Sequence, residues 1–292
     1  MKSPSSINEY HLHPEAPTKR QFDFFDLGEY LKTNQEHSSK PHSHSFYQLV
    51  WFQSEGGKHF VDFKSFDIKK DRLFFIAKNQ IHYFEKRKNY QGLLLHFNES
   101  FLLQNERDID FFINYNLFNH LETPYFQVPL NLITELNVYL NQIRNEIENT
   151  DLFGHESILT NTLKSLLVTI EREKRKDLQE DKPSYATSLT LLKFRKLLEI
   201  NYGKNWSVSK YAEELNISTK TLNNLMKSKT GKTTSAIITN RIILEAKRQL
   251  CHSNSFVNEI GYNLGFQDPS YFVKFFKKHV KLTPTDFRDS VS

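Results

Sequence analysis

The apolar positions of the chain change their period once, near residue 130. Between residues 46 and 97, short runs rich in aromatic and β-branched residues (46–52, 58–63, 72–77, 81–84 and 91–97) alternate with turn signals. These signals are Glu55-Gly56-Gly57, Lys69-Lys70-Asp71, Lys78-Asn79-Gln80 and Lys88-Asn89. Turns recurring roughly every 8–12 residues between such runs predict a sandwich or barrel. Residues 1–40 are polar with scattered apolar side chains and read as an arm that begins to pack near Phe22. From Ile133 the spacing becomes helical. Ile133, Leu136, Leu140, Ile143 and Ile147 form one stripe; after a break at 149–154, Leu159, Leu163, Leu166 and Ile170 form another. Two such stripes across a short loop predict an antiparallel helical pair. Both helices are expected to cover the barrel, and one of them also to supply a dimer seam. The segment 171–182 is almost all charged, and Pro183-Ser184 stops any helix, which places a linker there.

Beyond the linker the same design occurs twice. Ser207 caps a helix carrying Val208, Tyr211, Ala212 and Leu215; Asn216-Ile217 turns the chain, and Ser218 caps a second helix that buries Leu222, Leu225 and Met226. In the second copy Phe256, Val257, Ile260 and Leu264 form the first apolar face, and Gly265 supplies the freedom a helix end needs. Asp268 then caps a helix with Pro269 at its first position, followed by Tyr271, Phe272, Phe275 and Phe276. A helix striped by Ile243, Ala246 and Leu250 joins the copies. Two short helices across a tight turn form a helix-turn-helix, here at about 207–230 and 255–279.

Charge sharpens this division. The 292 residues carry a net +5, but residues 181–292 hold 18 Lys+Arg against 9 Asp+Glu, a local +9, and the first 180 residues carry −4. A basic C-terminal third suits a polyanionic partner. The single cysteine, Cys251, excludes an intramolecular disulfide and a cysteine-based zinc cluster. It sits near the end of the connecting helix and reads as packing. The polar start shows no signal or transit sequence, and no apolar run approaches the ~20 residues of a membrane span. A cytoplasmic protein with no membrane partner is expected.

Ile260-Gly261-Tyr262-Asn263-Leu264-Gly265-Phe266, then Asp268-Pro269-Ser270-Tyr271-Phe272, Phe275-Phe276-Lys277-Lys278, Thr283-Pro284 and Phe287-Arg288 resemble the signature of AraC/XylS-type transcriptional regulators. Leu215, Ser218, Leu222, Lys227 and Gly231 fit the upstream part, and the match covers roughly residues 189–289. The resemblance implies two recognition helices in successive major grooves of double-stranded DNA. It places base-facing positions at Lys220, Asn223 and Asn224 in the first unit and at Pro269, Ser270, Tyr271 and Lys274 in the second. Lys donates to guanine O6/N7 and Asn pairs with adenine N6/N7, so the chemistry suits direct readout. Lys227, Lys229, Lys277 and Lys278 are expected to meet phosphates. The chain departs from the signature at Asn224, where Arg is common, at Met226 in place of Phe, and at Gly261 in place of Ala.

In the β half, Pro41-His42-Ser43-His44-Ser45-Phe46-Tyr47-Gln48 resembles the first motif of cupin barrels and Ile81-His82-Tyr83-Phe84 the second. His42 and His44, two apart on one strand, point to one face. Gln48 stands where metal-binding cupins use a carboxylate, so no metal or other cofactor is assigned. The barrel mouth is instead expected to hold a small-molecule effector, lined by His42, His44, Tyr47, Gln48, Trp51, His59, His82 and Tyr83. Gly231-Lys232-Thr233 lacks the earlier glycine and preceding strand of a phosphate-binding loop, and no Gly-x-Ser-x-Gly or His-Glu-x-x-His occurs.

The expected fold is α+β in two domains. An arm and cupin-like β-barrel (1–125) and a helical hairpin for dimerisation (126–180) lead through a linker (181–187) to an all-α DNA-binding domain (188–289). The expected function is that of a homodimeric, effector-responsive transcription activator that also touches RNA polymerase, without enzymatic activity. Two rivals remain: a metal-dependent cupin enzyme with a DNA-targeting tail, and a regulator that needs no effector.

Overall fold

The computed structural model describes residues 7–16, 20–86, 89–102, 117–118, 123–176, 185–252 and 255–291. They fall into two units, one of residues 9–181 and one of residues 182–292 with 1–8. The first unit is built on two five-stranded sheets. One has the order β1 (Asn8–Tyr10), β3 (His42–His44), β8 (His82–Phe84), β5 (Lys58–Val61), β6 (Lys64–Asp67). The other runs β10 (Tyr125–Gln127), β7 (Arg72–Ile76), β4 (Tyr47–Phe52), β9 (Gly92–Phe97), β2 (Phe22–Asp26). Short helices α1 (Leu27–Thr33), α2 (Gln35–Ser38) and α3 (Glu99–Leu102) interrupt the strands, and α4 (Leu130–Glu148) and α5 (His155–Lys176) follow them.

Strand β4 explains why this sheet is covered on both faces. Successive side chains point to opposite sides, and every residue from Gln48 to Phe52 is buried. Val50 and Phe52 join Val61, Phe74, Phe84 and Leu94 in the core between the sheets. Leu49 and Trp51 face the other way and pack with Leu136, Leu140, Ile143, Leu163 and Leu166 of the helical pair. Burying each of these side chains contributes roughly 1.5–3 kcal/mol, so the hairpin of α4 and α5 completes a core the sheet alone would leave open.

The expected run 58–63 does not continue as one strand. It turns at Asp62 and Phe63, both at positive φ (46° and 66°), and returns as β6 with Val61 opposite Lys64. A two-residue hairpin needs both central residues left-handed to match strand twist; without a glycine, Asp62 was its only local sign. Asp71 and Asn79 also adopt positive φ, where the expected turns lie.

The second unit is helical: α6 (Tyr185–Asn201), a 3-10 turn (Tyr202–Lys204), α7 (Val208–Glu214), α8 (Thr219–Thr230), α9 (Thr234–His252), α10 (Val257–Asn263), α11 (Pro269–Val280) and α12 (Pro284–Val291). The caps sit where the sequence places them. Ser207, Ser218 and Asp268 accept from the backbone N–H of Lys210, Thr221 and Ser270 at 3.2, 3.0 and 2.8 Å, satisfying donors that a helix start leaves open.

The internal repeat is visible in backbone bonds. Ile217 N donates to Ala212 O in the first turn, and Phe266 N to Gly261 O in the second, both at 3.0 Å. Asn216 (φ 54°) and Gly265 (φ 83°) occupy the same left-handed position. Gly265 is required twice over, because a Cβ there would lie 2.4 Å from the Gly203 carbonyl. Gly261 is buried against Phe272, whose side-chain atoms would stand 3.2–3.3 Å from an added methyl. The glycine that the signature replaces with alanine therefore lets α10 and α11 approach closely. Arg288 anchors the end, donating to the Leu250 and Ser255 carbonyls at 3.0 and 2.8 Å. Cys251 is buried, and burial pushes its thiol up to about 12, which leaves it protonated packing.

Candidate functional site

Helices α8 and α11 each bury one face and expose the other. Leu222 and Met226 in α8, and Phe272 and Phe276 in α11, are buried. Lys220, Asn224 and Lys227 are exposed on α8; Ser270, Tyr271, Lys274, Lys277 and Lys278 are exposed on α11. Positions spaced by three and four share one helical face, so the buried and exposed sets separate cleanly. Neither helix contains an acidic residue, and each carries three lysines. A cationic face free of carboxylates beside polar donors and acceptors is the chemistry that phosphates and base edges require.

Two expected contacts stand apart. Asn223 is half-buried and its Oδ1 accepts from Thr234 N at 3.0 Å, capping α9. Its acceptor is thus committed inside the unit, and it does not join Lys220 and Asn224 on the exposed face. Pro269 is half-buried at the first position of α11, where its missing N–H removes no helical bond. The side chain of Lys229 lies outside the described residues. One exposed residue escaped the sequence reading: Thr221 occupies the place in α8 that Tyr271 holds in α11. The fifty-residue offset between the capped helices was the signal that would have found it.

The barrel holds a cavity of about 250 Å³ lined by aromatic and polar side chains, among them Tyr10, Asp23, Tyr30, His42, His44 and His96. His42 lies directly opposite His82 across β3 and β8. Gln48 Nε2 is 3.1 Å from His44 Nε2 and 3.0 Å from His96 Nε2, so one amide bridges two imidazoles. His59 Nε2 is 3.1 Å from His82 Nδ1. Burial, then the neighbouring His42, pulls His59 and His96 down to about 3, and the same causes hold His44 and His82 well below the usual imidazole value. These rings are therefore neutral, each offering one donor and one lone pair. The N-terminal arm contributes to the wall: Ser45 N donates to Tyr10 O at 2.9 Å, and Tyr10 stacks on His37.

Of the eight residues expected around this pocket, His42 and His44 line it, and His82 and Gln48 adjoin them. His59 lies deeper, stacked on Phe84 and tilted against Phe74. Tyr47 and Trp51 do not belong to it. Strand alternation turns them to the helical side of β4, where the Tyr47 hydroxyl donates to Glu99 at 2.8 Å and Trp51 is core. Tyr83 also faces away, stacked on Phe60 with centroids 4.4 Å apart. His96, Tyr10, Tyr30 and Asp23 were missed. Each comes from a segment distant from the two histidine motifs, and no local pattern marks it.

Among the described residues, no helix is long and apolar enough to cross a membrane. Two family models match the chain, an AraC-like ligand binding domain over residues 29–136 and a helix-turn-helix domain over residues 211–290. The chain is similar to the HTH-type transcriptional activator RhaS of Yersinia pestis (strain Pestoides F), 21% identical over 253 residues that cover 86% of this chain and 89% of the relative. RhaS of Escherichia coli O1:K1 / APEC is 23% identical over 257 residues, 85% of this chain and 86% of the relative. Unsaturated fatty acid bound wild-type ToxT from Vibrio cholerae strain SCE256 matches at 17% identity and a TM-score of 0.41, over 92% of this chain and 91% of that one.

Proposed function

Because the chain belongs to the AraC-type transcription regulators, with a ligand-binding domain ahead of a DNA-binding helix-turn-helix domain, we propose that it activates transcription in response to a small molecule held in the barrel cavity. Lys220, Asn224, Ser270, Tyr271 and Lys274 read base edges; Lys227, Lys229, Lys277 and Lys278 hold phosphates. The observation that carries this reading is the pair of capped helices whose outward faces are cationic and free of carboxylates. Effector binding changes transcription only through a difference in affinity between two arrangements of the protein. RNA polymerase is the partner an activator addresses, and no enzymatic step is invoked.

The test is a selection from random duplex DNA with the full chain, followed by titrations with variants. Lys274→Ala is expected to weaken binding to the selected site by about 1–3 kcal/mol, roughly ten- to a hundredfold, with relaxed preference at one base pair. Asn223→Ala is expected to lower stability by about 1 kcal/mol through the lost cap, leaving base preference unchanged. Uniform weakening by Lys274→Ala over all sequences would reassign it to a phosphate.

The helical hairpin is proposed to form the dimer seam. Leu130, Val138, Leu152 and Phe153 are exposed along it, and solvent-facing apolar side chains gathered on one hairpin favour a partner surface. Sedimentation of the full chain should give a dimer that Val138→Asp dissociates; a wild-type monomer at micromolar concentration would sink the seam.

A further inference from the structure

The histidines of the barrel do more than line a cavity. His42, His44 and His82 each offer a ring nitrogen, and these atoms lie within 4.8 Å of one another. All three residues are buried. The nitrogen that each ring turns elsewhere has a definite partner. His42 Nδ1 is 2.8 Å from the Lys40 carbonyl, His82 Nδ1 is 3.1 Å from His59 Nε2, and His44 Nε2 is 3.1 Å from the Gln48 amide. The nitrogens left over on His82 and His44, Nε2 and Nδ1, are buried without a hydrogen-bond partner. A buried polar atom in that state keeps its desolvation penalty uncompensated, and two in one cluster of three rings call for an explanation.

We propose that His42 Nε2, His44 Nδ1 and His82 Nε2 bind one divalent late first-row transition ion of the zinc class. The tautomers are consistent. His42 Nδ1–H donates to the Lys40 carbonyl, His82 Nδ1–H to His59, and His44 Nε2–H to the Gln48 amide oxygen once that amide is turned over, since its two ends are exchangeable assignments. Each ligand then has its other N–H anchored, the arrangement that orients metal-bound imidazoles. Gln48 thereby gains a role that a carboxylate ligand would not fill: it bridges His44 and His96 and acts on the ion through His44. Three neutral imidazoles suit zinc, cobalt, nickel or copper rather than magnesium or calcium. Zinc holds imidazole nitrogens at about 2.0–2.1 Å, so rings whose nitrogens lie within 4.8 Å of one another are close enough to share one ion. Three protein ligands leave a fourth position, and His42 and His44 also wall the cavity. That the bound ion shifts DNA affinity is the sensory part of the proposal and rests on the ligand-binding reading of the barrel, but the ion's binding is measured without DNA.

The experiment uses the full chain, stripped with a chelator and titrated with Co²⁺. One equivalent is expected to develop the ligand-field absorption of nitrogen-coordinated cobalt, to be displaced by Zn²⁺ and to resist Mg²⁺. His82→Gln and His42→Gln should each weaken binding at least about a hundredfold, and Gln48→Leu about 10–100-fold, the cost of an outer-shell partner. Melting curves of the stripped proteins identify any variant that fails to fold. No stoichiometric binding by the wild-type chain overturns the site whatever the variants do. So does undiminished affinity in both folded histidine variants. A chain that selects a DNA site yet binds no ion overturns the metal site alone. One that binds the ion while its DNA affinity ignores it upholds the site and removes only the sensory reading.

Discussion

Arg241→Met is expected to destabilise the helical unit by about 3 kcal/mol, the low end of the cost of stranding a buried partner. The guanidinium is almost fully buried, donating from Nε to Glu199 and from Nη1 to Glu245 at 3.0 Å each, and it lies 4.0 Å over the Tyr202 ring. Glu199 is 40% exposed and recovers water when the arginine is lost, whereas Glu245, at 15%, does not. The double variant Arg241→Met/Glu245→Leu should therefore recover part of the loss. Acid offers a second check. Burial alone would raise the Glu245 carboxyl, but Arg241 and Arg248 outweigh it and hold it below its ordinary value of 4.5. A carboxyl lowered on folding stabilises above its unfolded pKa and loses that contribution as pH falls through the folded one. The gap between wild type and Arg241→Met, measured by urea denaturation, should be full at pH 7 and shrink below about pH 4.5. An unchanged gap in acid would mean that the loss arises from packing and not from charge.

Gly92→Ala should be more damaging still, by about 3–5 kcal/mol or to the point where the barrel no longer folds. Gly92 opens β9 opposite Phe52 with φ at 152°, and a Cβ there would lie 1.9 Å from the Trp51 carbonyl oxygen. That oxygen belongs to the central strand, held by ladders on both sides, so it has nowhere to retreat. Gly154, also at positive φ (74°) but with nothing within 4 Å of an added Cβ, provides the contrast. Gly154→Ala should cost only about 1–2 kcal/mol for the left-handed backbone. Denaturation midpoints of the two variants decide the matter: equal losses would show that the Trp51 backbone yields, and that φ alone governs both sites.

Much of the helical unit was legible because its signals are short-range. Ser207, Ser218 and Asp268 sit within three residues of the N–H groups they accept from, and the buried faces of α8 and α11 follow a period that any helix imposes. The stripes of α4 and α5 were legible for the same reason, with Leu136, Leu140, Leu163 and Leu166 all in one core. Asn223 was misread from the same local view. Its position on α8 suits a base edge, but its partner, Thr234, lies eleven residues on, beyond the next turn.

The β unit shows the opposite balance. Alternation marked its central strands and set His42 and His44 on one face. It could not say which face was the cavity, so Tyr47 and Trp51 were grouped with Gln48 although the pleat sends them to the other side. By itself, then, the sequence determined the helices, their caps, the duplicated helix-turn-helix and the existence of a histidine-bearing barrel, because propensity, capping and periodicity act between residues a few positions apart. Only the tertiary structure decided that His82 stands opposite His42, that Gln48 reaches His96 across β4 and β9, and that Tyr10 walls the cavity. Those meetings depend on strand register, and a slip of one residue would turn every side chain of a strand to its other face.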